Sequence, residues 1–163
     1  MTGKPDRLTA QLAFLTEADR LKQVLRATPV TDGTRRENSG EHSWHLALYA
    51  LVLADQAHPG VDVNRVIRML LIHDLVEIDV GDVPIHSANG EAHGSTDVTT
   101  AEALAADRIF GLLPDDLAAD LRALWAEFES AETPDAVFAK SLDRVQPVMM
   151  NIGLFVPQSG YLQ

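Results

Sequence analysis

The chain of 163 residues has no cysteine, so it can form no disulfide framework and offers no thiolate to a metal. Any ion it binds must be held by nitrogen and oxygen. Positive charge is scarce as well: 13 Lys and Arg stand against 24 Asp and Glu, a net of −11. Phosphate backbones reward basic surfaces, so this balance argues against a nucleic-acid partner. No apolar run approaches the length of a bilayer span, which argues against a membrane partner. Met1–Asp6 is polar and no short apolar block follows it, so nothing at the start reads as a secretory signal. A cytoplasmic protein is the expectation. The chain also lacks sequence repeats, low-complexity tracts and any convincing alternation of the kind that marks a strand.

What is present is helical periodicity. At this length, with 46% hydrophobic residues, one domain over 1–163 is expected, with its core over about 20–147 and an apolar tail over 148–163. Leu8, Leu12, Leu15, Leu21 and Val24-Leu25 predict a first helix fading near Thr28-Pro29. Thr31-Asp32-Gly33 is turn chemistry. A second helix is predicted with Trp44, Leu48, Leu51 and Val52 inward, ending near His58-Pro59-Gly60. Asp62 suits the N-cap of a third, carrying Val63, Val66, Ile67, Leu70 and Leu71 and stopped by Gly81. After a polar connection over 84–97, a fourth helix uses Ala101, Leu104, Ala105 and Phe110. Pro114 opens a fifth, with Asp115 and Asp116 in its first turn and Leu117, Leu121, Leu124 and Phe128 buried. Thr133-Pro134 starts a sixth, with Val137, Phe138, Leu142 and Val145 inward, and the tail begins at Pro147. The fold class is all-α.

Against this pattern a few residues are out of place. His73-Asp74-Leu75-Val76-Glu77 follows the apolar run Val66–Ile72, so a histidine and two carboxylates stand where aliphatic side chains would pack freely. Buried charge needs a counter-charge or a metal. On a helix His73 and Glu77 are one turn apart. His42 in the second helix and Asp143 in the sixth are equally anomalous. Among these, the two imidazoles of His42 and His73 with the two aspartates Asp74 and Asp143, and no thiolate, suit a divalent transition metal, and magnesium less well. Five of the basic residues, Arg20, Lys22, Arg26, Arg35 and Arg36, fall within seventeen positions, a segment suited to a small anion. Trp44 and Trp125 read as core, Asp79 as solvated, and Glu41 as either exposed or accepting a hydrogen bond from a ligand histidine.

Glu41-His42-Ser43-Trp44, then His73-Asp74 with Glu77 and Gly81-Asp82, then Leu142-Asp143, resemble the HD-domain metal-dependent phosphohydrolases. Arg35-Arg36-Glu37-Asn38, Leu124-Trp125-Ala126-Glu127-Phe128-Glu129 and Ala139-Lys140-Ser141-Leu142-Asp143-Arg144 resemble the 5′-deoxynucleotidase-like branch of that superfamily. The resemblance implies an HD-domain helical bundle of about six or more helices and a 5′-nucleotidase acting on (deoxy)nucleoside monophosphates. It implies that His42, His73, Asp74 and Asp143 hold one divalent ion, among Mn, Co, Zn, Fe, Ni and Mg. Glu77 is then the catalytic carboxylate, working beside the ligand Asp74. Arg26, at the end of the first helix, binds phosphate, Asp82 contacts the sugar, and Arg36 approaches the substrate. Where bacterial relatives commonly place an aromatic residue after that arginine, this chain has Ala27-Thr28. The apolar tail is expected to dock on a second copy, giving a homodimer.

Two other functions fit parts of the pattern. A di-iron oxygenase of the same superfamily would need further ligands after the HD pair, for which His86 and His93 are the candidates in the connection. A non-catalytic nucleotide-sensing module would keep the fold and bind without turnover.

Overall fold

A computed structural model describes residues 5–82 and 96–153 of the chain. Helix α1 (Arg7–Ala18) is capped by Asp6, whose carboxylate accepts from the Thr9 N–H, and a 3₁₀ turn over Asp19–Gln23 follows. Two short strands, β1 (Leu25–Pro29) and β2 (Arg36–Asn38), pair antiparallel. Then come α2 (Ser39–Val52), α3 (Val63–Ile72), a 3₁₀ turn over His73–Val76, and the single turn α4 (Glu77–Val80). Helices α5 (Thr96–Phe110), α6 (Asp115–Ser130) and α7 (Pro134–Gly153) complete the described part. Among the described residues no helix is long and apolar enough to cross a membrane.

Capping chemistry sets most helix starts. Asn38 and Glu41 form a reciprocal capping box on α2. Asp62 accepts from the N–H groups of Asn64 and Arg65 at the start of α3. Thr133 Oγ1 accepts from Ala136 N to begin α7. At the other end of the site, Gly81 closes α4 with φ +77°, a conformation that L side chains rarely adopt.

The helical expectation needs four corrections. The first helix does not run to Thr28: it gives way to a hairpin, and Arg26 lies in a strand. Hydrophobic periodicity misses this hairpin because its pattern is inverted. Leu25 and Ala27 face out while Arg26 is buried, and on β2 Arg36 faces out while Glu37 is buried. The third helix ends at Ile72, not Gly81, and tightens into the 3₁₀ turn that carries His73-Asp74. The sixth predicted helix does not stop before Pro147: α7 runs through it to Gly153. A proline there removes one intrahelical donor, but Gln146 and Met150 on either side are buried and hold the last turns in place.

The fourth correction concerns which faces are buried. Leu8, Leu12 and Leu15 are exposed, and α1 packs instead through Ala10 and Phe14, whose ring lies 6.3 Å from that of Phe110. On α2 the residues Trp44, Leu48, Leu51 and Val52 are exposed, Trp44 to 61%, while Ser39, His42, Ser43, Leu46 and Ala50 are buried. The smaller, more polar face is the inner one because it carries the site. Leu71 and Leu104, and Val137 and Val145 on α7, also face outward.

The core falls into two apolar clusters. One joins Phe14, Leu21, Leu75, Val76, Ile109, Phe110 and Trp125; the other joins Leu46, Val66, Met69, Leu70, Leu124, Phe128 and Leu142. Ile72 and Leu121 touch both. The His73–Val76 turn therefore sits at the seam, where Trp125 Nε1 donates to the carbonyl of His73 at 3.1 Å. Truncating Phe128 to Ala is expected to cost about 3–5 kcal/mol in urea unfolding. Trp44→Ala should stay within about 0.5 kcal/mol of the parent, as an exposed site does. Comparable losses for the two would contradict the assigned burial.

Candidate metal centre

Six segments deliver the chemistry to the seam. Helix α2 supplies His42, the 3₁₀ turn His73 and Asp74, α4 Glu77, and α7 Asp143, while β1 and β2 supply Arg26 and Glu37. One ligand atom each from His42, His73 and Asp143 lies within 4.8 Å of the others. His42 Nε2 is 3.0 Å from Asp143 Oδ1, and His73 Nε2 is 3.7 Å from the same oxygen. Asp74, the fourth expected ligand, places Oδ1 2.9 Å from His73 Nε2 and turns Oδ2 toward Arg26 Nη1 at 3.0 Å.

The hydrogen bonds behind the rings decide what these nitrogens can do. His73 Nδ1 is 2.9 Å from the Leu70 carbonyl, and His42 Nδ1 is 3.1 Å from Gln146 Oε1. Carbonyls only accept, so both Nδ1 atoms donate, and in the neutral rings each Nε2 keeps its lone pair. Those lone pairs face carboxylate oxygens, which also bring only lone pairs. His73 Nε2 is a buried nitrogen with no hydrogen-bond partner, although Asp74 Oδ1 is 2.9 Å away. Lone pairs aimed at one point are repulsive unless a proton or a metal cation stands between them, and the raised histidines hold that proton when no metal is bound. The donor set thus fits a divalent ion held by nitrogen and oxygen.

Arg26 is the one buried guanidinium among the described residues, and it lies amid carboxylates. Beyond Asp74, its Nη1 lies 3.8 Å from Glu77 Oε1 and 3.8 Å from Asp82 Oδ1, and its Nε 3.8 Å from Glu37 Oε2. Ser39, itself buried, donates to Glu77 Oε2 at 2.5 Å. Asp82 Oδ2 accepts from the Ala27 N–H at 3.2 Å, tying the Gly81 turn to β1. Arg36 is exposed and donates from Nε to the carbonyl of Arg26.

In the metal-free protein these contacts shift the ionisations. Burial alone would lower His73, but the Asp74 and Asp143 carboxylates overcome it and push it up to about 10. His42 is raised too, against its burial, by Asp143 and Glu37. The imidazoles hold Asp143 well below the usual carboxylate range and, with Arg26, hold Asp74 below it, although burial opposes both. Glu77 goes the other way: burial, then the charge of Asp74, lift it to about 8 despite Ser39 and Arg26.

Some expectations about neighbouring residues change. Glu41 does not back a ligand histidine, because it caps α2 and pairs with Arg35 at 2.8 Å. Asp79 is not simply solvated: Arg108 grips both its oxygens and also reaches Glu17. His45 is near the centre only through Gln146. His86 and His93 lie outside the described residues. The structure adds Glu37, Ser39 and Gln146, three buried polar residues that periodicity did not single out. For two of them the signal was spacing: Ser39 is three before His42, and Gln146 three after Asp143.

A family model described as an HD domain matches residues 18–154. The 5′-deoxynucleotidase HDDC2 of Homo sapiens is 31% identical over 139 residues, 85% of this chain and 65% of the relative. That of Bos taurus is 30% identical over 150 residues, 91% of this chain and 69% of the relative. The chain thus spans about two thirds of the length of these curated relatives. A structure described as a predicted metal-dependent phosphohydrolase, from Magnetospirillum magnetotacticum MS-1, is 51% identical with TM-score 0.84, covering 91% of this chain and 74% of that one. A conserved hypothetical protein from Pyrococcus furiosus, 22% identical with TM-score 0.67 over 93% of this chain and 89% of that one, shares the fold.

The ionisations carry a signed expectation for stability. His73 is raised, so its contribution is complete below its ordinary 6.5 and is lost as pH rises through about 10. Glu77 is an acid held neutral, so its contribution is complete below 4.5 and is lost as pH rises through about 8. Asp74 and Asp143 are depressed and lose theirs only as pH falls below 3.8. With excess EDTA the melting temperature in differential scanning fluorimetry should therefore fall between pH 6 and pH 9. A flat or rising curve over that interval would refute this account of the centre.

Proposed function

This chain belongs to the HD-domain family, in its 5′-deoxynucleotidase-like branch, and from that premise we propose that it is a divalent-metal-dependent 5′-nucleotidase. It would convert (deoxy)nucleoside 5′-monophosphates to a nucleoside and inorganic phosphate. The observation that carries this assignment is the convergence of the His42 and His73 Nε2 atoms on Asp143 Oδ1, with Arg26 bonded to the neighbouring Asp74. The relatives named as 5′-deoxynucleotidases and the structure described as a phosphohydrolase support it.

In this assignment His42, His73, Asp74 and Asp143 hold the ion. Bound there, a divalent ion supplies a Lewis acid that offsets charge on a phosphoryl oxygen. The protein's residues do the rest. Arg26 presents a planar fork to the phosphate oxygens, which a lysine would not reproduce. It is already desolvated, so a phosphate meets it by replacing weak contacts at 3.8 Å rather than by stripping water. Glu77, lifted to about 8, can exist in either protonation state near neutrality. It takes a proton from the attacking water as the new P–O bond forms. It returns that proton to the 5′-oxygen as the P–O5′ bond breaks, so atoms and charge balance. Ser39 fixes the Glu77 rotamer for this transfer. Asp82, tethered at Oδ2 by the Ala27 N–H, holds Oδ1 in only a 3.8 Å contact with Arg26, so that oxygen can accept from a sugar hydroxyl. Arg36 has guanidinium N–H groups left over for the substrate once Nε is bonded to the Arg26 carbonyl.

The proposal extends to a homodimer in the cytoplasm that uses neither nucleic acid nor membrane. The exposed Val145, Val148 and Met149 near the end of α7 support an apolar contact with a second copy. Sedimentation velocity at micromolar concentration should give a dimer, and a monomer would remove that part of the assignment.

Phosphate release should be measured across a panel of nucleoside and deoxynucleoside monophosphates with Mn²⁺, Co²⁺ and Mg²⁺. Glu77→Ala is expected to lower kcat about 10²–10⁴-fold while the metal content stays unchanged. Arg26→Lys should chiefly raise KM. Silence from every substrate in a protein shown to carry its metal would defeat the nucleotidase assignment.

A further inference from the structure

Gln146 is fully buried on α7, one turn past Asp143. Its Nε2 lies 3.0 Å from Glu37 Oε1 and 3.2 Å from His45 Nδ1, and its Oε1 lies 3.1 Å from His42 Nδ1. Glu37 is buried as well, with Oε2 3.5 Å from His42 Nδ1 and 3.8 Å from Arg26 Nε. A glutamine amide has a donor end and an acceptor end. The Glu37 carboxylate accepts, so it selects the donor end and turns the Gln146 carbonyl toward His42. His45 Nδ1, on the same amide nitrogen, selects the same orientation by accepting from it. The carbonyl in turn accepts only, so it requires the proton of the neutral His42 ring on Nδ1 and leaves Nε2 bare.

We infer that Glu37 and Gln146 are positioning residues that fix the tautomer and ring angle of His42, so that its Nε2 lone pair meets the ion. This rests on the metal site of the proposed function, though neither residue touches reacting atoms. The relay runs from β2 through α7 to α2, so the hairpin that carries Arg26 also orients a metal ligand. Glu37 stands behind both groups at once: it faces the arginine with one oxygen and the glutamine with the other. A hydrophobic residue of similar volume at 146 would fill the space and leave the His42 ring free to turn or to take the other tautomer.

The test is Mn²⁺ titration calorimetry of the full chain, with ¹⁵N-histidine spectra of the Zn²⁺-loaded form. Gln146→Leu should weaken Mn²⁺ binding about 10–100-fold. The double variant Glu37→Gln/Gln146→Glu, which keeps the direction of every hydrogen bond to His42, should return affinity to within about threefold of the parent, as a merely structural loss would not. In the parent, His42 should show a proton on Nδ1 and ligation through Nε2. That measurement needs no variant, and ligation through Nδ1 would overturn the assignment even if Gln146→Leu failed to fold. Parent-like affinity in a folded Gln146→Leu, or no rescue by the double variant, would overturn it as well. A parent protein that binds no Mn²⁺ would instead remove the metal site itself, and with it the nucleotidase assignment.

Discussion

The structure is organised around an excess of carboxylates in a place with little water. Glu37, Asp74, Glu77, Asp82 and Asp143 gather around one buried arginine and two buried imidazoles. Removing that much negative charge from water is costly unless cations or protons answer it. Arg26 answers part of it. The remainder shows in the metal-free ionisations: His73 is driven up to about 10 and Glu77 to about 8. A divalent ion between the imidazoles and Asp143 would answer the deficit without consuming protons, which is why the cluster reads as a metal centre rather than as a salt-bridged core.

The fold is arranged so that this expensive cluster lies at a seam and not within an apolar mass. Leu75 and Val76 belong to one hydrophobic cluster, Met69 and Leu70 to the other, and His73-Asp74 fall between them. The apolar neighbours pin the 3₁₀ turn on both sides, and the Trp125 indole pins its backbone. Rigid support of this kind holds ligand atoms close to a productive geometry. The cost is visible on the outer surface, where α2 leaves Trp44, Leu48, Leu51 and Val52 exposed in order to keep His42 and Ser39 inside.

The groups proposed for phosphate and for the metal are also mechanically joined. Arg26 comes from β1 and Glu37 from β2, and the Ala27 N–H on the same strand holds Asp82. The hairpin is short, yet its inward residues reach much of the centre: Asp74 and Glu77 through Arg26, and His42 through Glu37 and Gln146. A change in the hairpin is therefore transmitted to the proposed metal ligands and to the proposed anion-binding arginine together.

From the sequence alone one could read helix starts written in capping residues, such as Asp62 and Thr133, and the anomaly of His42, His73-Asp74, Glu77 and Asp143 in apolar surroundings. Those signals are local, since a cap or a misplaced charge is defined by its immediate neighbours. The hairpin was illegible because its buried face is ionic, which reverses the alternation that marks a strand. The orientation of α1 and α2 was illegible because each carries more than one apolar stripe, and only the partners decide which one is buried. Tertiary structure alone decided that Asp143 meets His42 from 101 residues away, that Arg26 answers Asp74, and that Gln146 turns His42. Hydrogen-bond direction and charge compensation are properties of groups brought together in space, and spacing along the chain does not contain them.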